Sequence, residues 1–245
     1  MKILLAPAET KNEGGTEKFL SEDNFKFKSL YCVQKPIIDV YEEYIKHLDE
    51  EQLSLWFGLK NKKEVQKYRQ SLYTQPTMKA IQRYNGVAYD AINYTELPLK
   101  AQEYIDNNVI IFSNLFGVVS ALDSIPNYKY KQGSKLPNIE VEKYYNQHLT
   151  PFLEEHLDDE ILDLRAGFYE KFYKPKSAKV ISVKFLKEGK VVSHWAKHYR
   201  GKLLRELALQ NIQNFSEFMA MELNDLKLIE MQEKKNVKLL VMEIV

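Results

Sequence analysis

The run Val109-Ile110-Ile111-Phe112 constrains this chain more than any other stretch. Four consecutive apolar residues, three of them β-branched, suit a strand buried on both faces. The chain then turns through Leu115-Phe116-Gly117-Val118, passes Asp123 and Pro126, and becomes polar at Tyr128, Lys129, Tyr130, Lys131, Gly133 and Lys135. A core strand that feeds a basic, aromatic loop is a common way to present a binding site, because the strand fixes where the loop points. A plain solvated lysine loop has the same composition.

Other segments supply the rest of a mixed sheet with helices. Lys2–Ala6 reads as a buried strand ended by Pro7, with Glu9 and Lys11 leaving its carboxyl end together. A helical pattern runs from Ile37 to Tyr73, and its middle is basic (Lys60, Lys62, Lys63, Lys67, Arg69). Ala80–Tyr84 reads as a strand before the Asn85-Gly86 turn, Val87–Ile92 as a short helix, and Leu97–Asn107 as another. Val141–Leu157 reads as a helix broken at Pro151, and Ile161–Arg165 as a short strand. Val180–Leu186 and Val191–Ser193 form a hairpin around Glu188-Gly189. Trp195–Asn211 is a helix that buries Leu203, Leu204, Leu207 and Ala208, and a last helix and hairpin close the chain.

The 245 residues are 44 % hydrophobic, enough for a sizeable core, and the reading taken is one α+β domain over residues 1–245. The lone cysteine, Cys32, excludes an internal disulfide and suits a reducing cytoplasm. No apolar run approaches the roughly 20 residues of a membrane helix, so no membrane partner is expected.

A formal charge of +1 points to no partner, so the distribution of charge has to. Between Lys171 and Arg205 the only acidic residue is Glu188, and the helix carrying Lys197, Arg200, Lys202 and Arg205 is basic where its macrodipole is already positive. A bound phosphate would compensate that charge.

No phosphate-loop or dinucleotide fingerprint and no nucleophile elbow appears. His194 and His198 have helical spacing, with no glutamate between them and no third ligand nearby, so neither a metal nor a cofactor is expected. The carboxylates placed to act as acid or base are Glu9, Asp90 and Asp163, although Asp163 reads more readily as an anchor for Arg165.

Five segments occur together in order: LLAPAETKNEGG, RYNGVAYDAI, LFGVVSALDSIPNYKYKQGSKLP, ILDLRAGFY and VSHWAKHYRGKLLREL. Together they resemble the YaaA-type peroxide stress proteins, over nearly the whole chain. The resemblance implies a compact α+β domain with a positively charged cleft, a helix-hairpin-helix element and binding of double-stranded DNA. It also implies a part in limiting iron-dependent oxidative damage, and no established reaction. Leu115–Val118 would supply the hairpin, with Gly117 letting backbone N–H groups meet a phosphate. The expected DNA contacts are Lys129, Lys131, Lys135, Lys197, Arg200 and Lys202, with Lys11 and Arg83 in the same cleft. The alternative is an enzyme acting on a phosphorylated or nucleobase-containing small molecule. A closed pocket joining Glu9, Asp90 and Asp163 would favour it, and an open basic groove would favour DNA.

Overall fold

The computed structural model describes residues 1–245. The main sheet is built from β1 (Lys2–Leu5), β2 (Val109–Ser113), β3 (Gly117–Ser120), β4 (Glu160–Leu164), β5 (Lys179–Lys187), β6 (Lys190–Val191), β7 (Leu226–Lys234) and β8 (Val237–Ile244). Its order is β7-β8-β5-β4-β1-β2-β3, with β6 paired to β5. The strands β8, β5, β4, β1 and β2 run parallel, and antiparallel β3 and β7 flank them. All five residues of β2 are buried, as its apolar run predicts. On the outer edge, β7 is exposed beyond Leu226, and a bulge between Leu228 and Glu230 breaks its register. That bulge and the charges around it guard a free edge against pairing.

The helices are α1 (Tyr31–His47), α2 (Glu50–Phe57), α3 (Lys62–Lys67), α4 (Ala80–Arg83), α5 (Val87–Ile92), α6 (Leu99–Asn108), α7 (Val141–His156), α8 (Ser193–Gln210) and α9 (Phe215–Ala220). The long helical region therefore begins six residues before Ile37. A capping box at Asp49 starts α2, and Gly58, with φ +68°, ends it.

Three local expectations change. Ala80–Arg83 is a helical turn and not a strand, because the Ala80 and Ile81 N–H groups donate to the carbonyls of Asp123 and Ala121. The extended residues lie just upstream, at Pro76–Lys79. The helix α7 runs through Pro151, which faces solvent while Tyr145, Leu149 and Leu153 hold the opposite face in the core. Lastly, Leu115–Val118 joins the antiparallel strands β2 and β3, so this segment is a β-hairpin and not a turn between helices. Gly117 has φ +68°, and a Cβ there would stand 2.5 Å from the Tyr145 ring. The glycine serves close packing inside the protein, and no phosphate can reach it.

The topology singles out one place. From β1 the chain crosses to β2 on one side of β1, and later returns to β4 on the other. Neighbouring parallel strands whose connections leave in opposite directions open a crevice at their carboxyl ends. Here that crevice lies between β1 and β4.

Candidate functional site

The carboxyl ends of β1 and β4 open into a cleft of about 370 Å3. Ala6–Thr10, leaving β1, and Gly86–Tyr89, at the start of α5, form two walls. Leu164, Ala166 and Tyr169 line the β4 side, Lys197 and Arg200 come from α8, and Gln132 comes from the loop after β3.

Each wall is held by identifiable contacts. Thr10–Lys11 pairs antiparallel with Tyr84–Asn85, and Tyr89 donates from its hydroxyl to the Ala6 carbonyl at 2.9 Å. These bonds tie the loop after β1 to the start of α5. Gly201 sets the position of α8, since a Cβ there would lie 2.0 Å from the Ala88 carbonyl oxygen. The two helix backbones touch at that point, which brings the neighbouring Arg200 into the cleft. On the other side, the Arg165 guanidinium stacks 4.3 Å above the Phe112 ring and donates to the Tyr169 and Tyr173 carbonyls. It thereby fixes the 3₁₀ turn Gly167–Lys171, which carries Tyr169.

Arg200 is the polar group left over. Its Nε is buried and has no hydrogen-bond partner. Burial lowers its pKa, while Asp163 acts in the opposite sense. Asp163 does not compensate it fully, because both of its oxygens are engaged by Arg165: Oδ1 accepts from Nε at 2.9 Å and Oδ2 from Nη2 at 2.6 Å. Glu9 is the one carboxylate lining the cleft, and it faces Lys129 at 3.9 Å and the Gln132 N–H at 3.4 Å. An unpartnered, partly buried guanidinium next to an open cavity suits an incoming anion. Lys197 lies three residues earlier on the same helix face, at the cleft margin.

The residues singled out in the sequence do not form one groove. Lys131, Lys135 and Lys197 are exposed, and Gln132 brings the Lys131–Lys135 loop to the same cleft as Lys197. Lys129 and Lys11 are buried instead, at 9 % and 8 % exposure. The Lys11 ammonium sits 3.9 Å over the Tyr128 ring and makes only long contacts to the Ala8 and Glu9 carbonyls. Burial and then the Lys129 charge push its pKa down to about 7, against a smaller opposing effect of Glu9.

Arg83 is fully buried and cannot line a cleft. It donates to the carbonyls of Ile125, Asn12, Gly14 and Pro76, fastening the loop after β1 to the segments around α4. Lys202 pairs with Asp225 away from the cleft, so its charge is already met. The three carboxylates also part company. Glu9 lines this cleft, Asp90 lines a separate groove beside Asn12 and Tyr94, and Asp163 is taken by Arg165. The three carboxylates thus line three different pockets. Sequence reasoning passed over Tyr169, Gln132 and Gly201; only the mid-helix glycine carried a local signal, since glycine there costs about 1 kcal/mol relative to alanine.

The family model described as peroxide stress protein YaaA matches residues 1–232, a span that contains every residue lining the cleft. This chain belongs to the YaaA family. Among its relatives is an uncharacterized protein of Campylobacter jejuni, 45 % identical over 245 residues that cover 100 % of this chain and 99 % of the relative. UPF0246 proteins of Corynebacterium glutamicum and Streptomyces coelicolor are 38 % and 30 % identical. The first covers 85 % of each chain, and the second 84 % of this chain and 82 % of its own. The YaaA assignment therefore rests on matches along nearly the whole length, with the cleft inside them.

Proposed function

We propose that this YaaA-family chain acts in the peroxide stress response by binding double-stranded DNA, with little sequence preference, and so helps limit iron-dependent oxidative damage. The observation that carries this reading is three exposed lysines: Lys197 at the cleft margin beside the Arg200 guanidinium, and Lys131 and Lys135 on the loop whose Gln132 reaches the same cleft. A duplex is too wide to enter a cleft of about 370 Å3, so its phosphates would lie across the rim. Such contacts hold the backbone without reading bases. Of the contacts expected from the sequence, Arg83, Gly117 and Lys202 are committed elsewhere, and Lys11 and Lys129 are buried. No catalytic step and no cofactor enters this reading. Its setting is the cytoplasm, where an exposed thiol such as Cys32 stays reduced.

Fluorescence anisotropy with two unrelated duplexes, titrated across salt, tests it. Both should bind alike, with log K falling linearly in log salt. The triple variant Lys131→Ala, Lys135→Ala, Lys197→Ala should flatten the slope by about 2–3, at roughly 0.9 per phosphate contact. Absence of binding at low salt, or an unchanged slope in the triple variant, would remove the DNA reading.

A further inference from the structure

Beyond the DNA contacts at the rim, we infer that the interior of the cleft is a separate binding site for one small phosphate ester. Arg200 would anchor the phosphate, and the apolar wall beside Tyr169 would hold the rest of the molecule.

Size comes first. A cavity of about 370 Å3 falls within the range that holds a sugar phosphate or a mononucleotide. Its place agrees, because crevices where parallel strands diverge are where such ligands bind in open sheets. The walls are of two kinds. Leu5, Pro7, Val87 and Leu164 give an apolar surface, and Tyr169 adds an aromatic ring, while Arg200 and Lys197 bring two cations to one side. One carboxylate, Glu9, stands among the lining residues, and it already faces Lys129 and the Gln132 N–H. The cleft therefore favours anions and gives a neutral or planar group somewhere to pack.

The second observation is the cost that Arg200 imposes. A guanidinium nitrogen buried without a partner has lost its hydrogen bonds to water and gained none in return. The nearby structure shows how readily this fold satisfies an arginine when the role is structural: Arg165 engages a carboxylate and two carbonyls. Arg200 lacks such partners and lines a cleft where a ligand can supply them. A phosphate would accept from it in the bidentate way that suits a guanidinium.

The test is thermal unfolding of the full chain with inorganic phosphate, ribose 5-phosphate and adenosine 5′-monophosphate. At ten times Kd, either organic ester should raise Tm by about 3–5 °C, and phosphate alone should do so only at higher concentration. Arg200→Met should abolish the shift for all three. Tyr169→Ala should weaken the esters at least fivefold and leave inorganic phosphate unchanged. No shift with either ester at about 10 mM, or the same shift in Arg200→Met, would overturn the inference. The rim variant lacking Lys131 and Lys135 separates this site from the DNA reading. It should lose DNA affinity and keep the ester shift, so failure of either reading is seen independently of the other.

Discussion

The turn around α4 and the cleft beside α8 each take an arginine out of water and treat it differently. Arg83 is wholly enclosed, and four carbonyl oxygens meet its guanidinium. Arg200 is partly enclosed, with an Nε that meets nothing. A buried cation with a full set of acceptors is a structural clamp, because moving any of the segments it joins breaks several charge-assisted bonds at once. A buried cation without them stores unfavourable desolvation that a ligand can relieve. Burial of a basic residue is thus no guide to its role until its acceptors are counted.

The comparison can be broken at either end. The largest effect should come from Arg83→Met, which takes the donor from four carbonyls at once, that of Ile125 buried and the other three partly so. Chemical denaturation should show a loss of about 3–5 kcal/mol, or no folded protein. Arg200→Met, by contrast, should leave stability within about 1 kcal/mol of wild type or raise it, since it removes a desolvated charge and no bond. If the two variants cost the same, the distinction between clamp and site fails.

Gly201→Ala tests how the cleft is positioned. With 2.0 Å between the added Cβ and the Ala88 oxygen, α8 must move away from α5, at about 2–4 kcal/mol. DNA affinity and any ester binding should fall with it, although the substitution adds no charge and removes none.

Lys11 gives a pH-dependent contrast with the exposed lysines. Its folded pKa of about 7 lies below the ordinary 10.5, so between those values the unfolded chain binds the proton more than the folded one. Stability attributable to this group therefore rises with pH from 7 to 10.5 and is lost as pH falls toward 7. Lys11→Met should stabilise the protein near pH 7, by something on the order of 3 kcal/mol, and the gain should shrink toward pH 10. Denaturant titrations at several pH values check the sign.

The smallest effect belongs to Lys202. Its pair with Asp225 is partly exposed, so Lys202→Ala should change stability by about 0.5 kcal/mol or less and leave the DNA salt slope as it was. A clear drop in slope would return Lys202 to the DNA-contacting set.

Much of the sheet was legible because its strands announce themselves locally. Val109–Phe112 needs no tertiary context to read as buried, and Glu188-Gly189, both with positive φ, form the hairpin turn that their position between two strands predicts. What the sequence hides is partnership across distance. Nothing near Arg83 in the chain reveals that its acceptors lie at residues 12, 14, 76 and 125. Likewise Lys202 meets Asp225 and not a ligand. Charge counted along a segment cannot separate satisfied cations from free ones. The continuity of α7 through Pro151 was hidden for another reason: a proline on a solvated helix face leaves the carbonyl four residues earlier, that of Gln147, to water, and packing on the opposite face carries the helix through.

The most direct test of the contrast is side-chain NMR on protein labelled with 15N-arginine, with Nε–Hε signals assigned through Arg83→Lys and Arg200→Lys. On titration with adenosine 5′-monophosphate, the Arg200 signal should shift and saturate while the Arg83 signal stays in place. An Arg200 signal that does not move at any concentration, or moves together with that of Arg83, would contradict the account.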